Sequence, residues 1–543
     1  MRRSLLEGLA GLGLALGVSA SCQEQLYDYI VVGGGPSGII TAERLAEAQK
    51  KVLLIERGYG PTVATGSNHT LSWNDTLTEI DIPGLSAGIA SLDVWKEYIC
   101  QDTPSYAACV LGGGVTVNYM VFVHPPERDF ENWPQGWQWE DVASAADRLY
   151  ERNPGSTLPS ADGKHYDDGL YSVLSNFFDN LGWSSVDMID QPNEKFQVYS
   201  HPAWNIQDEK RAGPVRTYLP LAQQRENFTL QLGTKVIRLV RSGSQVTGVE
   251  VETASGSRQI IRLAQDGRVV LSSGALSTPR ILFNSGIGPR SQILNAQKAN
   301  VTLPPENDWV ELPVGSNLMD HPIFSIEVKT NGTWGPLDAT SVLNGTDTSS
   351  IDLYERQNSG VLTEGKHRAI FFTSNVGSDG ITRYYQGSCA PAVTGVFSIT
   401  AYMTHGLTST GVLGMDENGN TFFEQSPYLQ TDGDVDAAEL FIQQMVDAIT
   451  APSTGLTLQT YTNTSAILDT LTNGIHYTGT AKMGVDDGRK NGTSVVDLNT
   501  KVYGIDNLFI SDASIHPDLP TGNLQAMVMI VAEAAVAKIL AYE

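Results

Sequence analysis

The chain has 543 residues, of which 41% are hydrophobic and only 17% charged, with a formal net charge of −25. This length exceeds one small core and implies two or more packed units, and the apolar content excludes a disordered chain. Lysine and arginine are scarce and form no basic run, which excludes nucleic acid as a partner.

The chain opens with Arg2 and Arg3, an apolar run from Leu5 to Val18 and the small residues Val18-Ser19-Ala20. This is the layout of a cleaved secretory signal over residues 1–20, with a short membrane anchor as the alternative reading. A bilayer span needs ~20 apolar residues, and no later stretch reads as one. Asn-x-Ser/Thr sequons begin at Asn68, Asn74, Asn227, Asn300, Asn331, Asn344, Asn463 and Asn491. Cys100 and Cys109 are close enough in sequence for a small disulfide loop, while Cys22 and Cys389 have no partner beyond each other. The expected product is a secreted, extracellular glycoprotein. No spacing of metal-ligand type occurs, so no metal is expected.

The apolar run Tyr29-Ile30-Val31-Val32 reads as a buried parallel strand, followed by Gly33-x-Gly35-Pro36-Ser37-Gly38 and a helical stretch. A second strand, Val52-Leu53-Leu54-Ile55, ends in Glu56. Strand, glycine turn, helix, strand and acid together make a dinucleotide-binding fingerprint. Gly33 permits the turn, Gly35 admits a pyrophosphate to backbone N–H groups, and Gly38 lets helix and strand approach. The helix N-terminus attracts phosphate, and Glu56 accepts from a ribose.

Farther along, Gly112-Gly113-Gly114 followed by Asn118 suits close backbone approach to a flat ligand. Trp133, Trp137 and Trp139 form an aromatic patch assigned to the core. Strand patterns from Phe228 to Leu271 form a meander leading back to the nucleotide sheet. Ser277-Thr278-Pro279 then starts a helix that stops near Gly286-x-Gly288. Alternation such as Val396 to Met403 predicts an antiparallel substrate sheet, and Asp434 to Thr450 has helical spacing. His476 lies in a Gly/Thr-rich turn. Leu508 to Ile510 reads as a strand ending near Asp512, and Thr521-Gly522-Asn523 leads into a long C-terminal helix.

These blocks, in this order, resemble the glucose–methanol–choline (GMC) family of FAD oxidoreductases. Ala108 through Asn118 is similar to its first signature, with Val115 where a smaller residue is usual, and Gly274 through Gly288 to its second. The Cys-Val-Leu-Gly-Gly-Gly block, the Trp-Pro-x-Gly-Trp patch and a His/Asn pair are most similar to the flavin domain of cellobiose dehydrogenases. The resemblance implies an α/β fold: a Rossmann-like FAD-binding domain from residues 27–150, 206–322 and 471–543, and an α+β substrate domain from 151–205 and 323–470. It implies non-covalent FAD held by Gly33, Gly35, Ser37, Gly38, Glu56 and Arg57. Gly112, Gly113, Gly114 and Asn118 join them along the flavin, Val236 at the adenine, and Asp512, Thr521 and Gly522 on the ribityl and ring side.

His476 and Asn523 are the candidate catalytic pair. A neutral imidazole can take a hydroxyl proton, and an amide can hydrogen-bond the oxygen as charge develops. His516 is the rival base, and His321 is assigned a structural role closing the nucleotide domain. The expected activity is oxidation of a sugar anomeric hydroxyl or a primary alcohol, with oxygen, a quinone or a redox protein as electron acceptor. A flavin-bearing lyase or cyclase without net redox change is the alternative.

Overall fold

The computed structural model describes residues 25–166 and 168–542, so the signal-peptide reading and Cys22 lie outside the described residues. Strand β1 (Tyr27–Val32), helix α1 (Pro36–Glu47) and strand β2 (Val52–Ile55) open the first domain. β1 lies between β2 and the end of the long strand Arg258–Leu271, parallel to both. Phe228–Gln231 extends the sheet beyond β2, and Leu508–Ile510 extends it beyond Arg258–Leu271, again in parallel. Ile30, Val31, Leu53 and Leu54 are buried on both faces of this sheet, which explains their unbroken apolar runs.

The first half of Arg258–Leu271 pairs antiparallel with Gln245–Thr253, which pairs in turn with Thr234–Ser242. One 14-residue strand thus ties the predicted meander to the nucleotide sheet. The C-terminal helix Gln525–Ala541 is apolar nearly all round and packs on α1 and on the helix Trp139–Arg152. Its one buried acid, Glu533, pairs with Arg44 and accepts from the Tyr218 hydroxyl at 2.8 Å.

The second sheet runs in the order Thr457–Leu458, Pro322–Lys329, Val396–Met403, Thr382–Val393, Ala369–Val376, Val198–Ser200 and Ser184–Ser185. Helices Gly169–Asn180 and Asp432–Thr450 cover one face through Leu174, Phe178, Phe441 and Met445. Side chains alternate along these strands, so Tyr385 and Ala401 enter that covered core while Gln386 and Tyr402 face the opposite side. Gln386 and Tyr402 are direct partners across neighbouring strands, which sets two polar groups side by side facing the nucleotide domain.

Cys100 and Cys109 are joined in a disulfide, and Cys389 is a buried free thiol. Trp133 and Trp137 are buried, as a core patch requires. Among the described residues no helix is long and apolar enough to cross a membrane.

Candidate active site

The glycine turn after β1 is dictated by backbone contact. Gly33 has φ +109°, and a Cβ there would lie 2.4 Å from the Ser272 carbonyl oxygen. A Cβ on Gly38 would lie 1.8 Å from the Gly33 carbonyl oxygen, so no other residue fits. At Gly35 the nearest atom would be 4.0 Å away, which leaves the start of α1 open to a ligand. The Ser37 hydroxyl, in the first turn of α1, is buried without a hydrogen-bond partner. An open helix N-terminus carrying an unpartnered hydroxyl is a cradle for an anionic group such as a pyrophosphate.

Glu56 follows β2 and accepts from the Gly34 and Gly58 N–H groups, each at 2.7 Å. Burial pushes its carboxyl pKa up, while those two N–H bonds oppose the shift. Arg57 is held by Asp102 at 3.0 and 3.1 Å, and the same carboxylate meets Lys235 and Arg280, each at 2.8 Å. The Gly112 N–H donates to the Gly34 carbonyl at 2.7 Å, and Gly113, at φ +57°, packs on Gly35. The triple-glycine block therefore sits on the dinucleotide turn, and a Cβ on Gly114 would meet nothing within 4 Å. Asn118 Nδ2 donates to Gln525 at 3.3 Å. Val236 is buried in its strand.

Asp512 spends its carboxylate within the protein: it accepts from Gly274 N–H at 2.9 Å, Thr278 Oγ1 at 2.6 Å and Ser514 N–H at 2.8 Å. Its side chain organises the turn into the helix Thr278–Phe283. Thr521 donates both its N–H and its hydroxyl to Asp129 at 2.6 Å, fixing the Gly522-Asn523 segment. These residues fit FAD: the open start of α1 with the unpartnered Ser37 hydroxyl would hold its phosphates.

His476 and Asn523 meet although 47 residues separate them: Asn523 Nδ2 lies 3.4 Å from His476 Nε2. Gln386 Nε2 donates to Asn523 Oδ1 at 2.7 Å, and the Tyr402 hydroxyl bonds the same amide. The Gln386 bond fixes Oδ1 and leaves the Asn523 NH2 group facing the imidazole. Because that NH2 only donates, His476 Nε2 is the acceptor, and the ring proton sits on Nδ1. His476 Nδ1 is 3.0 Å from Nδ1 of His321, which must then accept and carry its own proton on Nε2, a buried atom without a hydrogen-bond partner. The assignment of His321 to a purely structural role is thereby corrected. It is buried and touches the candidate base directly.

Asp320 fixes the backbone that presents His476. Its carboxylate accepts from the N–H groups of Gly474, Ile475 and His476 at 2.9, 3.1 and 2.6 Å, and from the Tyr428 hydroxyl at 2.6 Å. Burial raises its pKa to about 6, against the lowering pull of those bonds. Ile475, a β-branched residue, is held at φ +59°. Such a conformation costs about 1–3 kcal/mol. Charge-assisted bonds contribute about 1.5–3 kcal/mol each, so three of them outweigh the strain. His516, the rival base, is buried against Trp133 at 5.2 Å with neither ring nitrogen bonded.

Burial lowers the His476 pKa to about 4. The imidazole is therefore neutral and able to accept a proton at neutral pH. We predict that kcat/KM stays level as pH falls through ~6.5, the ordinary histidine range, and drops only on approaching about 4. A pH–rate profile breaking near the ordinary value would remove His476 from this role. His321→Leu should leave the His476 Nδ1–H buried without an acceptor. Its kcat should fall on the order of 10–100-fold with FAD content unchanged, the scale seen when a histidine loses its orienting partner. Unchanged kcat would make the histidine pair incidental.

Residues 27–323 and 416–532 match the two family models described as GMC oxidoreductase. The chain is 29% identical over 548 residues to an uncharacterised GMC-type oxidoreductase of Rhodococcus erythropolis, covering 95% of this chain and 99% of the relative. It is 26% identical to 5-(hydroxymethyl)furfural oxidase of Methylovorus sp. strain MP688, covering 94% and 98%. A crystal structure of formate oxidase superposes with a TM-score of 0.75 at 19% identity, covering 95% and 98%, which establishes likeness of fold.

Proposed function

The chain belongs to the GMC oxidoreductase family, FAD-dependent enzymes acting on CH–OH donors, and on that premise we propose that it oxidises an alcohol with His476 as proton acceptor. The observation that carries this reading is the Nε2 lone pair of a neutral, half-buried His476 facing the Asn523 amide at 3.4 Å. A substrate hydroxyl placed between them gives its proton to Nε2 while Asn523 Nδ2–H steadies the developing charge on oxygen. Bound FAD supplies the hydride acceptor for the C–H bond on the same carbon. The protein's work is positional: Asp320 fixes the backbone, His321 the tautomer, and Gln386 with Tyr402 the amide.

Primary alcohols and sugar anomeric hydroxyls are the donors considered, the latter from the motif likeness to cellobiose dehydrogenase flavin domains. Oxygen, a quinone or a redox protein completes the cycle. Export as a glycoprotein is part of the proposal. The Cys100–Cys109 bond supports it, as does the exposure of the sequon residues Asn68, Asn300, Asn331, Asn344, Asn463 and Asn491. Asn227, by contrast, donates its side chain to the carbonyls of Ala46 and Lys50.

The test is anaerobic mixing of the purified holoenzyme with primary alcohols and sugars. Stoichiometric aldehyde or lactone with loss of visible flavin absorbance is expected. Turnover of a substrate without any flavin bleaching would favour the lyase alternative and defeat the reading.

A further inference from the structure

We propose that His405 and Asp129 are positioning residues for Asn523, clamping through two separate contacts the short segment that presents its amide to His476. The inference rests on the alcohol-oxidising reading above and names two further residues on which that reaction depends.

Asn523 ends the stretch Leu519-Pro520-Thr521-Gly522, which is neither helix nor strand. Leu519 and Thr521 are nonetheless buried, so their backbone polar groups must find partners. Those partners come from far away in sequence. His405 Nδ1 lies 2.6 Å from the Leu519 carbonyl oxygen, and because a carbonyl only accepts, the ring proton is on Nδ1. Thr521 gives both its N–H and its hydroxyl to Asp129, each at 2.6 Å. Between these two points the Gly522 N–H donates to the Pro520 carbonyl at 2.9 Å, which closes the stretch into a tight turn. A displacement at Leu519 or Thr521 is therefore passed on to Asn523.

His405 follows the strand Val396–Met403 by two residues. Its carbonyl accepts from the Tyr384 N–H at 3.0 Å, in the strand Thr382–Val393. Two residues along that strand, Gln386 holds the Asn523 Oδ1 at 2.7 Å. One piece of sheet thus grips both the amide and the segment leading to it. The grip on Leu519 is reinforced by charge. Asp518 Oδ2 is 3.8 Å from His405 Nδ1. Burial lowers the His405 pKa, but Asp129, Asp518 and the Leu519 carbonyl outweigh it and the net shift is upward. Arg128, whose guanidinium lies 4.1 Å from the Tyr384 ring centroid, opposes them without reversing the balance. A protonated donor makes the Leu519 bond roughly twice as strong as a neutral one.

The test is a double-mutant cycle on anaerobic flavin reduction by a primary alcohol, run in wild-type and Asn523→Ala holoenzymes. His405→Leu and Thr521→Val each remove one contact of the clamp. In the wild-type background each should slow reduction about 10–100-fold, the scale of a ~1 Å misplacement. In Asn523→Ala the same substitutions should cost no more than about twofold, because the residue they position is gone. His405→Gln, which keeps a donor for the Leu519 carbonyl, should recover most of the rate. Hydrogen exchange at the Thr521 amide, followed in the holoenzyme without substrate, should quicken on the order of 10-fold in His405→Leu. Losses that persist in full in Asn523→Ala, or a Thr521 amide indifferent to His405, overturn the inference even if alcohols are oxidised. If no alcohol reduces the flavin while the Thr521 amide still answers to His405, the clamp stands and the oxidation reading falls.

Discussion

A His476→Ala holoenzyme is expected to keep its FAD and to be reduced by alcohols on the order of 10²–10⁴-fold more slowly than the wild type, the usual contribution of a positioned proton acceptor. The backbone of residue 476 is held by Asp320 and not by the imidazole, so truncating the side chain leaves the turn intact. His516 cannot substitute, because it is buried against Trp133. Anaerobic rapid mixing measures the loss directly. A reduction rate within a few-fold of wild type would mean that another group takes the proton.

The second large effect concerns the glycine turn, where two substitutions of the same size should fail in different ways. Gly38→Ala places a methyl 1.8 Å from a backbone oxygen, a clash that only separation of α1 from β1 relieves. Its destabilisation should exceed the ~1–3 kcal/mol of ordinary overpacking, with little soluble or FAD-loaded protein recovered. Gly114→Ala meets no protein atom within 4 Å, so the apoprotein should melt as the wild type does. If the flavin occupies that space, the added methyl should weaken FAD binding by about 1–3 kcal/mol, roughly 10–100-fold in Kd. Fluorescence titration of FAD into each apoprotein checks both. Wild-type FAD affinity in Gly114→Ala would place the ring system elsewhere.

Much of the nucleotide domain was legible in the sequence because its signals are local. β1, the glycine turn, α1 and β2 lie within 29 residues, and Gly33 and Gly38 answer to backbone contacts within that unit or with Ser272. Of the long strand Arg258–Leu271, the apolar end Val269-Val270-Leu271 was legible, while its more polar first half was read only as part of a meander. The substrate side was less so. Gln386 and Tyr402 look like ordinary alternating strand residues. Only the register of Thr382–Val393 against Val396–Met403 sets them side by side facing Asn523. His321 stands 155 residues from His476, and nothing in Asp320-His321-Pro322 announces that its ring will touch the base. Asp320 was equally hidden, because its role is to collect N–H groups from a turn far away in sequence. Asp512 shows a further limit. Its position after a strand was readable, yet its carboxylate binds the Thr278 turn, an arrangement that depends on how two strand ends meet.

The central claim is that His476 Nε2 removes the hydroxyl proton as the C–H bond on the same carbon is broken. A primary alcohol and its methyl ether, with the same C–H bond but no proton to give, separate the two requirements in one anaerobic experiment. The alcohol should bleach the bound flavin and yield aldehyde, while the ether should leave the flavin oxidised. Equal bleaching by the ether, or none by any alcohol offered, would contradict the account.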